Sequence, residues 1–588
     1  MLKLLKYLQK KDWMLVGASV IFIVSQVWLD LELPDYMSSI TTLVQTPGST
    51  IGQILEQGAY MLLCALGSLI SSICVGFFAA RIAASFSRNL RGKVFEKTMS
   101  FSMEEINRFS TASLITRSTN DIQQVQMVIA MGLQVMIKAP ILAVWAIIKI
   151  ADKNWQWTLA TAVGVVVLVC MLIVIMTLVL PRFKKVQILT DNLNRVTREN
   201  LTGVRVVRAY NAEQYQQQKF DKANSELTST HLFTMRVMAI MNPGMNIIMS
   251  GLSLAIYWIG AFLINQAGLM DRMGIFSNMV VFSSYAVQVI VAFTMLTMIF
   301  IMLPRAAVSA KRICDVLDTK PAIIEGDVTE VDTGLNGTIE FKNVSFKYPG
   351  SKNYVLEDIS FTASKGETVA FIGATGSGKS TLINLIPRFY DATEGEVLVN
   401  GINVRDYKSE TLNNLLGYVS QRAVMFSGSV KSNVAYGDGR IENYTDQMVN
   451  DALDIAQASE FVSKLENGIE APIAQGGTNV SGGQRQRLSI ARAVCRDPEI
   501  YIFDDSFSAL DYKTDRVLRQ ALNQKLGGAT RLIVAQRIGT IRDADKIIVL
   551  DNGRMVGMGT HDQLLKTCDT YREIALSQLS EEELKNAE

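Results

Sequence analysis

The sequence predicts an α-helical transmembrane domain in the first half of the chain and a soluble α/β domain in the second. The chain has 588 residues, of which 49% are hydrophobic, and its mean hydropathy of +0.21 is too high for an ordinary soluble chain of this length. Long apolar runs fill the first half, whereas the second half alternates short apolar segments with polar loops. We therefore place the transmembrane domain at 1–310, a mostly polar connector at 311–335 and the α/β domain at 336–588.

Six apolar runs in the first half are each long enough to cross the ~30 Å hydrocarbon core of a bilayer. They lie near residues 13–33, 59–84, 128–150, 157–180, 246–265 and 278–303. A single run of this kind could be a buried helix in a large soluble core, but six in succession predict a membrane domain. Lys138 falls within the third run, and because a charge in mid-membrane is costly we expect it to face protein or water.

The charges between the spans predict how they are oriented. Residues 34–58 contain no Lys or Arg, whereas the connections at 81–127 and 181–245 are rich in both. The positive-inside rule places these two long connections and the N-terminus in the cytoplasm. Six spans then return the α/β domain to the same side of the membrane.

The two long connections are predicted to be helical extensions of the spans. Residues 85–110 and 186–240 carry apolar side chains at helical spacing and contain no proline. Arms of this kind would carry the chain well beyond the bilayer. We expect their tips, at 109–121 and 203–213, to contact the α/β domain.

A phosphate-binding loop follows a predicted buried strand at 369–372 and precedes an amphipathic helix. In that setting, backbone N–H groups close around phosphate oxygens, a lysine supplies charge to the β- and γ-phosphates, and a serine hydroxyl binds Mg²⁺. Asp504 ends a second apolar strand and is the natural Mg²⁺ partner of Ser380. The sequence therefore predicts a site for ATP and Mg²⁺. Its loop residues are Gly373, Thr375, Gly376, Ser377, Gly378, Lys379, Ser380 and Thr381.

A second motif, Ser481-Gly482-Gly483-Gln484, precedes the acidic strand and opens a helix. With six spans ahead of it, this combination resembles the ATP-binding cassette (ABC) family, and specifically exporters in which the membrane domain is fused to the cassette. The resemblance covers essentially the whole chain. It implies that two cassettes close head-to-tail around two ATP molecules, so that Ser481–Gln484 act on ATP held by a partner.

The resemblance also assigns roles to isolated residues. Tyr348 matches the aromatic residue that stacks on the base, and Gln421 matches the glutamine that senses Mg²⁺ and the γ-phosphate. Asp511 belongs to the loop 508–511 that crosses the dimer interface. Because these residues occur in the family's order and spacing, the resemblance implies that all three belong to the site.

Two residues depart from the family pattern on the γ-phosphate side of the predicted site. Asp505 stands where the family's general base is Glu, and Gln536 stands where the family has a switch His. Asp is one methylene shorter, and a displacement of about 1 Å can cost on the order of 10²-fold in rate. Gln keeps hydrogen-bonding ability but cannot become cationic. The chain is therefore expected to bind ATP at its own P-loop and to hydrolyse it slowly.

The expected function is ATP-driven export by one half of a heterodimer, since a homodimer would own two impaired sites. The partner would carry consensus Glu and His, and the chain resembles the degenerate-site subunit of bacterial multidrug exporters of the plasma membrane. Small amphipathic compounds are the expected substrates. Alternatives are export of peptides, lipids or metal chelates, or a nucleotide-gated regulatory membrane protein. The net charge of +2 argues against nucleic acid, and the spans exclude a soluble ABC ATPase.

Overall fold

The computed structural model describes residues 2–46, 48–151, 155–268, 271–331, 334–437 and 444–578. The chain divides into two compact units. The first comprises Met1–Met99 and Ala112–Thr319, and the second comprises Ser100–Thr111 and Lys320–Glu588. A short segment from the membrane half of the sequence therefore folds with the α/β domain.

Long helices dominate the first unit, and among the described residues six helical stretches are long and apolar enough to cross a membrane. The six predicted spans are thus confirmed. In chain order the first ten helices are α1 (Lys10–Gln45), α2 (Ile51–Met99), α3 (Met103–Phe109), α4 (Thr111–Ser118), α5 (Asn120–Ala151), α6 (Trp155–Thr202), α7 (Val204–Ala209), α8 (Glu213–Ala239), α9 (Met241–Gln266) and α10 (Arg272–Asp318). Of these, α3 belongs to the second unit.

The predicted arm at 85–110 is formed largely by the end of α2, and the arm at 186–240 by the end of α6 together with α7 and α8. Helices α2 and α6 contain 49 and 48 residues, which at 1.5 Å per residue is about 70 Å, more than twice the thickness of the hydrocarbon core.

The first tip begins earlier than predicted. Ser102 caps α3 and forms a reciprocal capping box with Glu105, so the first turn after α2 precedes the predicted 109–121. The breaks between α3, α4 and α5, at residues 110 and 119, lie within the predicted range. The second tip is α7, within the predicted 203–213.

Aromatic side chains connect the helices of the first unit. The buried Trp157 on α6 donates its indole N–H to the carbonyl of Ile256 on α9 at 3.2 Å. Its ring lies 5.4 Å from that of Phe282 on α10. Tyr285, also on α10, donates its hydroxyl to the carbonyl of Leu31 on α1 at 2.9 Å. These contacts satisfy polar groups that would be costly to leave unpaired in a membrane.

Charged side chains pair across α1 and α5 inside the first unit. Lys138 Nζ lies 3.2 Å from Asp30 Oδ2, and Lys149 Nζ lies 3.1 Å from Glu32 Oε1 and 2.8 Å from Asp35 Oδ2. Lys138 therefore faces protein, as expected for a charge within a span. Its acidic partner was not predicted, because a hydropathy pattern shows that Asp30 is present but not which helix it meets.

Among the described residues, the second unit contains three β-sheets, of six, four and two strands, and the α/β class is confirmed. Its strands are β1 (Ile339–Phe346), β2 (Leu356–Ala363), β3 (Thr368–Gly373), β4 (Glu394–Val399), β5 (Ile402–Asn403), β6 (Leu416–Val419), β7 (Gly428–Ser429), β8 (Pro472–Ile473), β9 (Ile500–Asp504), β10 (Thr530–Val534), β11 (Lys546–Asp551) and β12 (Arg554–Gly559). Its further helices are α11 (Lys379–Asn384), α12 (Ser409–Leu415), α13 (Val430–Val434), α14 (Asp446–Ile455), α15 (Ser459–Ser463), α16 (Gly482–Cys495), α17 (Tyr512–Lys525), α18 (Ile538–Ile541), α19 (His561–Thr567) and α20 (Asp569–Gln578).

The six-stranded sheet has the strand order β12-β11-β3-β10-β9-β6, and the four-stranded sheet has the order β2-β1-β4-β5. Strands β7 and β8 pair with each other in antiparallel orientation. In the six-stranded sheet, strands β11, β3, β10, β9 and β6 run parallel to one another. Buried apolar side chains cover both faces of this sheet, which is why these strands read in the sequence as short continuous apolar runs.

The connector begins later than the predicted 311. Helix α10 continues through Asp318, and the first unit ends at Thr319. Residues 305–318 contain no glycine or proline, so nothing in their sequence interrupts the helix. Pro321 then disfavours helical backbone at the residue before it.

Replacing Lys138 with Met should destabilise the first unit by about 1–3 kcal/mol, because it leaves the Asp30 carboxylate without its charged partner. We expect a lower melting temperature in detergent, with partial recovery in the Lys138→Met/Asp30→Asn double variant. Lys93→Met is the matched control, since the Lys93–Glu96 pair is exposed. Equal melting temperatures for wild type and Lys138→Met would show that the pair contributes nothing to stability.

Candidate functional site

The register of three parallel strands brings the predicted site residues together. Strand β10 lies between β3 and β9. Val534, the last residue of β10, is paired with Phe371 on β3 and with Asp504 on β9. The carboxyl ends of all three strands therefore meet at one edge of the sheet. The P-loop follows β3, Asp505 follows β9 and Gln536 follows β10 within two residues, so segments far apart in sequence form one site.

The P-loop wraps around the Lys379 side chain. Lys379 Nζ donates to the carbonyls of Gly373 at 2.9 Å and Ala374 at 2.8 Å, and it lies 3.3 Å from Ser377 Oγ. Burial lowers the pKa of Lys379. Ala374, Thr375 and Gly376 form the exposed part of the loop.

Two glycines of the loop adopt backbone conformations that favour glycine. Gly376 has φ +87° and Gly378 has φ +96°. A Cβ atom on Gly378 would also lie 2.7 Å from Leu356 Cδ2. Both glycines are therefore required by the shape of the loop, whatever it binds.

Ser380 and Asp504 form an oxygen-rich pair beside the loop. Ser380 Oγ donates to Asp504 Oδ1 at 2.8 Å, and Asp504 is only 5% exposed. Burial raises the pKa of this carboxyl. A hydroxyl and a carboxylate are the hard oxygen donors that Mg²⁺ prefers. Within the described residues no cluster of three His, Cys, Asp or Glu side chains forms a metal site. The pair fits the usual Mg²⁺ arrangement, in which one or two protein groups bind the ion and phosphates and water complete its shell.

Asp505 is held by two glutamines. Its Oδ2 accepts a hydrogen bond from Gln536 Nε2 at 2.9 Å and another from Gln421 Nε2 at 3.3 Å. Asp505 has a left-handed backbone, with φ +46°, and burial raises the pKa of its carboxyl. The structure thus joins the two residues that depart from the family pattern, and adds Gln421 to them.

Tyr348 lies beside the helix that follows the P-loop. Its hydroxyl is 2.9 Å from Thr381 Oγ1, and its ring is half-buried. Tyr348 and Thr381, which were both predicted to belong to the nucleotide site, are therefore in contact.

The second motif, Ser481–Gln484, is called the signature segment from here on. It forms the N-terminal cap of α16. Ser481 Oγ accepts from the Gln484 backbone at 3.3 Å, and Gln484 Oε1 accepts from the Ser481 backbone at 2.8 Å. Ser481 and Gly482 are exposed, whereas Gly483 packs closely: a Cβ there would lie 3.3 Å from the Ala509 carbonyl. The segment therefore presents the positive end of a 14-residue helix to its surroundings.

Asp511 makes a local contact that the resemblance did not predict. Its Oδ1 accepts from the Thr514 backbone at 3.0 Å and caps α17, and this backbone hydrogen bond lowers the pKa of Asp511. The loop before it does reach the site, because Ser508 Oγ donates to the Asp505 carbonyl at 2.9 Å. In this structure Asp511 shapes the end of the loop 508–511 by capping α17.

Sequence reasoning missed a contact between α3 and the α/β domain. Asn107 Nδ2 donates to the hydroxyl of Tyr390 at 3.0 Å, and the Tyr390 ring lies 5.3 Å from that of Tyr348. Neither residue belongs to a motif. The sequence did predict that an arm tip contacts the α/β domain. The predicted tip began at residue 109, however, and so did not include Asn107.

Comparisons with known proteins agree with this architecture. Residues 16–303 match the family model of the ABC transporter transmembrane region, and residues 356–508 match that of the ABC transporter. An uncharacterized ABC transporter ATP-binding protein of Mycobacterium tuberculosis is 41% identical over 554 residues, which cover 92% of this chain and 93% of the relative. An ATP-dependent lipid A-core flippase of Pseudomonas aeruginosa is 30% identical over 517 residues, covering 88% and 83%.

A solved structure shares the fold. It is a bacterial Atm1-family ABC exporter with ATP bound, with a TM-score of 0.80 and 22% identity, and the match covers 97% of this chain and 98% of that one. Together with the six spans and the site at the carboxyl ends of β3, β9 and β10, these similarities show that the chain belongs to the ABC transporter family, as a half-transporter of the exporter type.

Proposed function

We propose that the chain is one half of a heterodimeric ABC exporter whose own P-loop retains ATP and whose signature segment completes the partner's active site. The main support for this proposal is the hydrogen bonding of the Asp505 carboxylate. One of its carboxylate oxygens is engaged by both Gln421 and Gln536. The chain has the parts that bind ATP, and its weakness is confined to the residues that would activate water.

A general base must bring a free carboxylate oxygen within about 2.6–3.2 Å of the water it activates. Asp505 is shorter than the family's Glu, and it must give up an amide contact before its Oδ2 can accept from water. Gln536 supplies no positive charge towards a γ-phosphate. Slow hydrolysis at this site is therefore the expected behaviour.

The chain has each of the groups that ATP binding requires. Lys379 and the backbone N–H groups of the loop 373–381 would hold the phosphates, and Tyr348 would stack on the base. Ser380, Gln421 and Asp504 would hold Mg²⁺, which neutralises charge on the phosphate oxygens when it is bound. The two positive-φ glycines of the loop support this assignment, because they let the backbone curve around a ligand.

The signature segment supports a role on another chain's ATP. Its capping box is complete and its first residues are exposed, so backbone N–H groups and a helix dipole are available to a phosphate on a partner. Helix α7 has no buried residue, and Val206 and Tyr210 are 61% and 80% exposed. These side chains provide a surface for a partner subunit with consensus Glu and His.

The substrates that we propose are small amphipathic compounds, moved out of the cytoplasm across the plasma membrane of a bacterium by alternating access. The charge asymmetry of the loops supports a cytoplasmic N-terminus and a cytoplasmic ATPase domain. Flipping of a lipid is the second candidate, and the similarity to the lipid A-core flippase favours it. ATPase stimulation by lipid, compared with stimulation by amphipathic cations, distinguishes the two substrate classes.

In the purified pair, Gln484→Ala in this chain should abolish most ATP turnover, because it removes the Gln484 side chain, and with it one half of the capping box, from the signature segment that faces the partner's ATP. Asp505→Ala should reduce turnover much less, since its site contributes little. The measurement is steady-state ATPase activity in lipid, with nucleotide binding verified for each variant. Equal losses from the two substitutions would mean that Asp505 is a working base, and robust turnover by the unpaired wild-type chain would contradict the heterodimer.

The double variant Asp505→Glu/Gln536→His should convert the chain into an active homodimer. Its own signature is sound, so two copies would form two complete sites, and we expect a gain on the order of 10²-fold over wild type. ATPase activity is measured on dimers verified by sedimentation, with Asp505→Asn/Gln536→His as the matched control. If dimers of the double variant are no faster than this control, Asp505 and Gln536 do not limit the rate.

A further inference from the structure

The second unit contains a cavity of about 320 Å³ where three segments meet. Glu104 on α3, Ile323 in the connector, and Tyr348 and Tyr390 in the α/β domain are among its lining residues. Since α3 folds with the α/β domain, one wall of this cavity comes from the arm tip between α2 and α4. The proposed base-stacking residue and the arm tip thus share one cavity.

A continuous set of contacts leads from the P-loop helix to α3. Thr381 contacts the hydroxyl of Tyr348 at 2.9 Å. The ring of Tyr390 meets that of Tyr348 edge-on, at 5.3 Å and 89°, within the range in which aromatic pairs attract. Asn107 then donates to the Tyr390 hydroxyl at 3.0 Å. Tyr390 is therefore constrained at its ring by Tyr348 and at its hydroxyl by α3.

A second contact keeps α3 in register with the connector. Glu105 is only 4% exposed. Its Oε1 accepts from the Ala322 backbone at 2.9 Å, and its Oε2 accepts from the Ser102 backbone at 2.8 Å. With two attachments, α3 cannot absorb a shift of Tyr390 by turning freely. Such a shift reaches the segment 100–111, which joins α2 to α4.

We propose that Tyr390 is a positioning residue that couples base stacking at Tyr348 to α3 through Asn107. This rests on the base-stacking role proposed above for Tyr348. Stacking of the nucleotide base thereby restrains α3. This effect does not depend on contacts between the γ-phosphate and the group of residues that includes Gln421 and Asp505. A ligand with phosphates but no base should leave α3 unaffected.

Hydrogen exchange on the full chain in lipid nanodiscs tests the proposal on peptides covering 102–109. Mg²⁺·ATP should slow exchange there in wild type, and Mg²⁺·tripolyphosphate should not. Asn107→Ala and Tyr390→Phe should keep ATP dissociation constants within about 2-fold of wild type yet lose the slowing. Their double variant should lose no more than either single one, because both remove one contact. Arg108→Ala, an exposed neighbour on α3, is the matched control and should behave as wild type.

Slowing by ATP that persists in Tyr390→Phe would overturn the coupling, as would equal slowing of wild type by tripolyphosphate. Tyr390→Phe removes one oxygen atom, so it remains informative if Asn107→Ala unfolds. Tyr348→Ala separates the two claims. Unchanged ATP affinity in that variant contradicts the proposed base-stacking role, whereas weakened affinity together with normal slowing in Tyr390→Phe contradicts the coupling alone.

Discussion

The parallel alignment of β3, β10 and β9 is the constraint on which the site depends. Each strand is buried on both faces, and each delivers a different chemical group to the same edge of the sheet. The P-loop, the Asp504–Asp505 pair and Gln536 occupy their places because of this alignment. A one-residue slip of β9 would turn Asp504 away from Ser380 and break their 2.8 Å contact.

The polar contacts of the site support the separation of ATP binding from ATP hydrolysis that we propose. Lys379 donates to the P-loop backbone and Ser380 to Asp504, whereas Asp505 is engaged by two amides. The signature segment, on α16, has an intact cap. In the heterodimer that we propose, the weakened groups and the intact ones belong to different composite sites.

Much of this arrangement follows from local sequence. Span length, loop charge and the order of the motifs predicted the membrane helices, the P-loop and the residues Ser380, Asp504 and Asp505, because each depends on short-range pattern or on strand ends meeting at one edge. Contacts between distant elements did not follow. The pairing of Lys138 with Asp30 and the contact of Asn107 with Tyr390 depend on tertiary packing, which residue type and spacing do not specify. The boundary after α10 was placed too early because polar composition does not by itself end a helix.

In the heterodimer that we propose, ATP persists at this chain's P-loop while the partner's ATP is turned over. Identifying the nucleotide on each chain during turnover tests this difference. The active pair is photolabelled with a radioactive azido-ATP, the two chains are separated, and the phosphorylation state of each bound nucleotide is determined. We expect triphosphate on this chain and diphosphate on its partner. Diphosphate in equal proportion on both chains would contradict it.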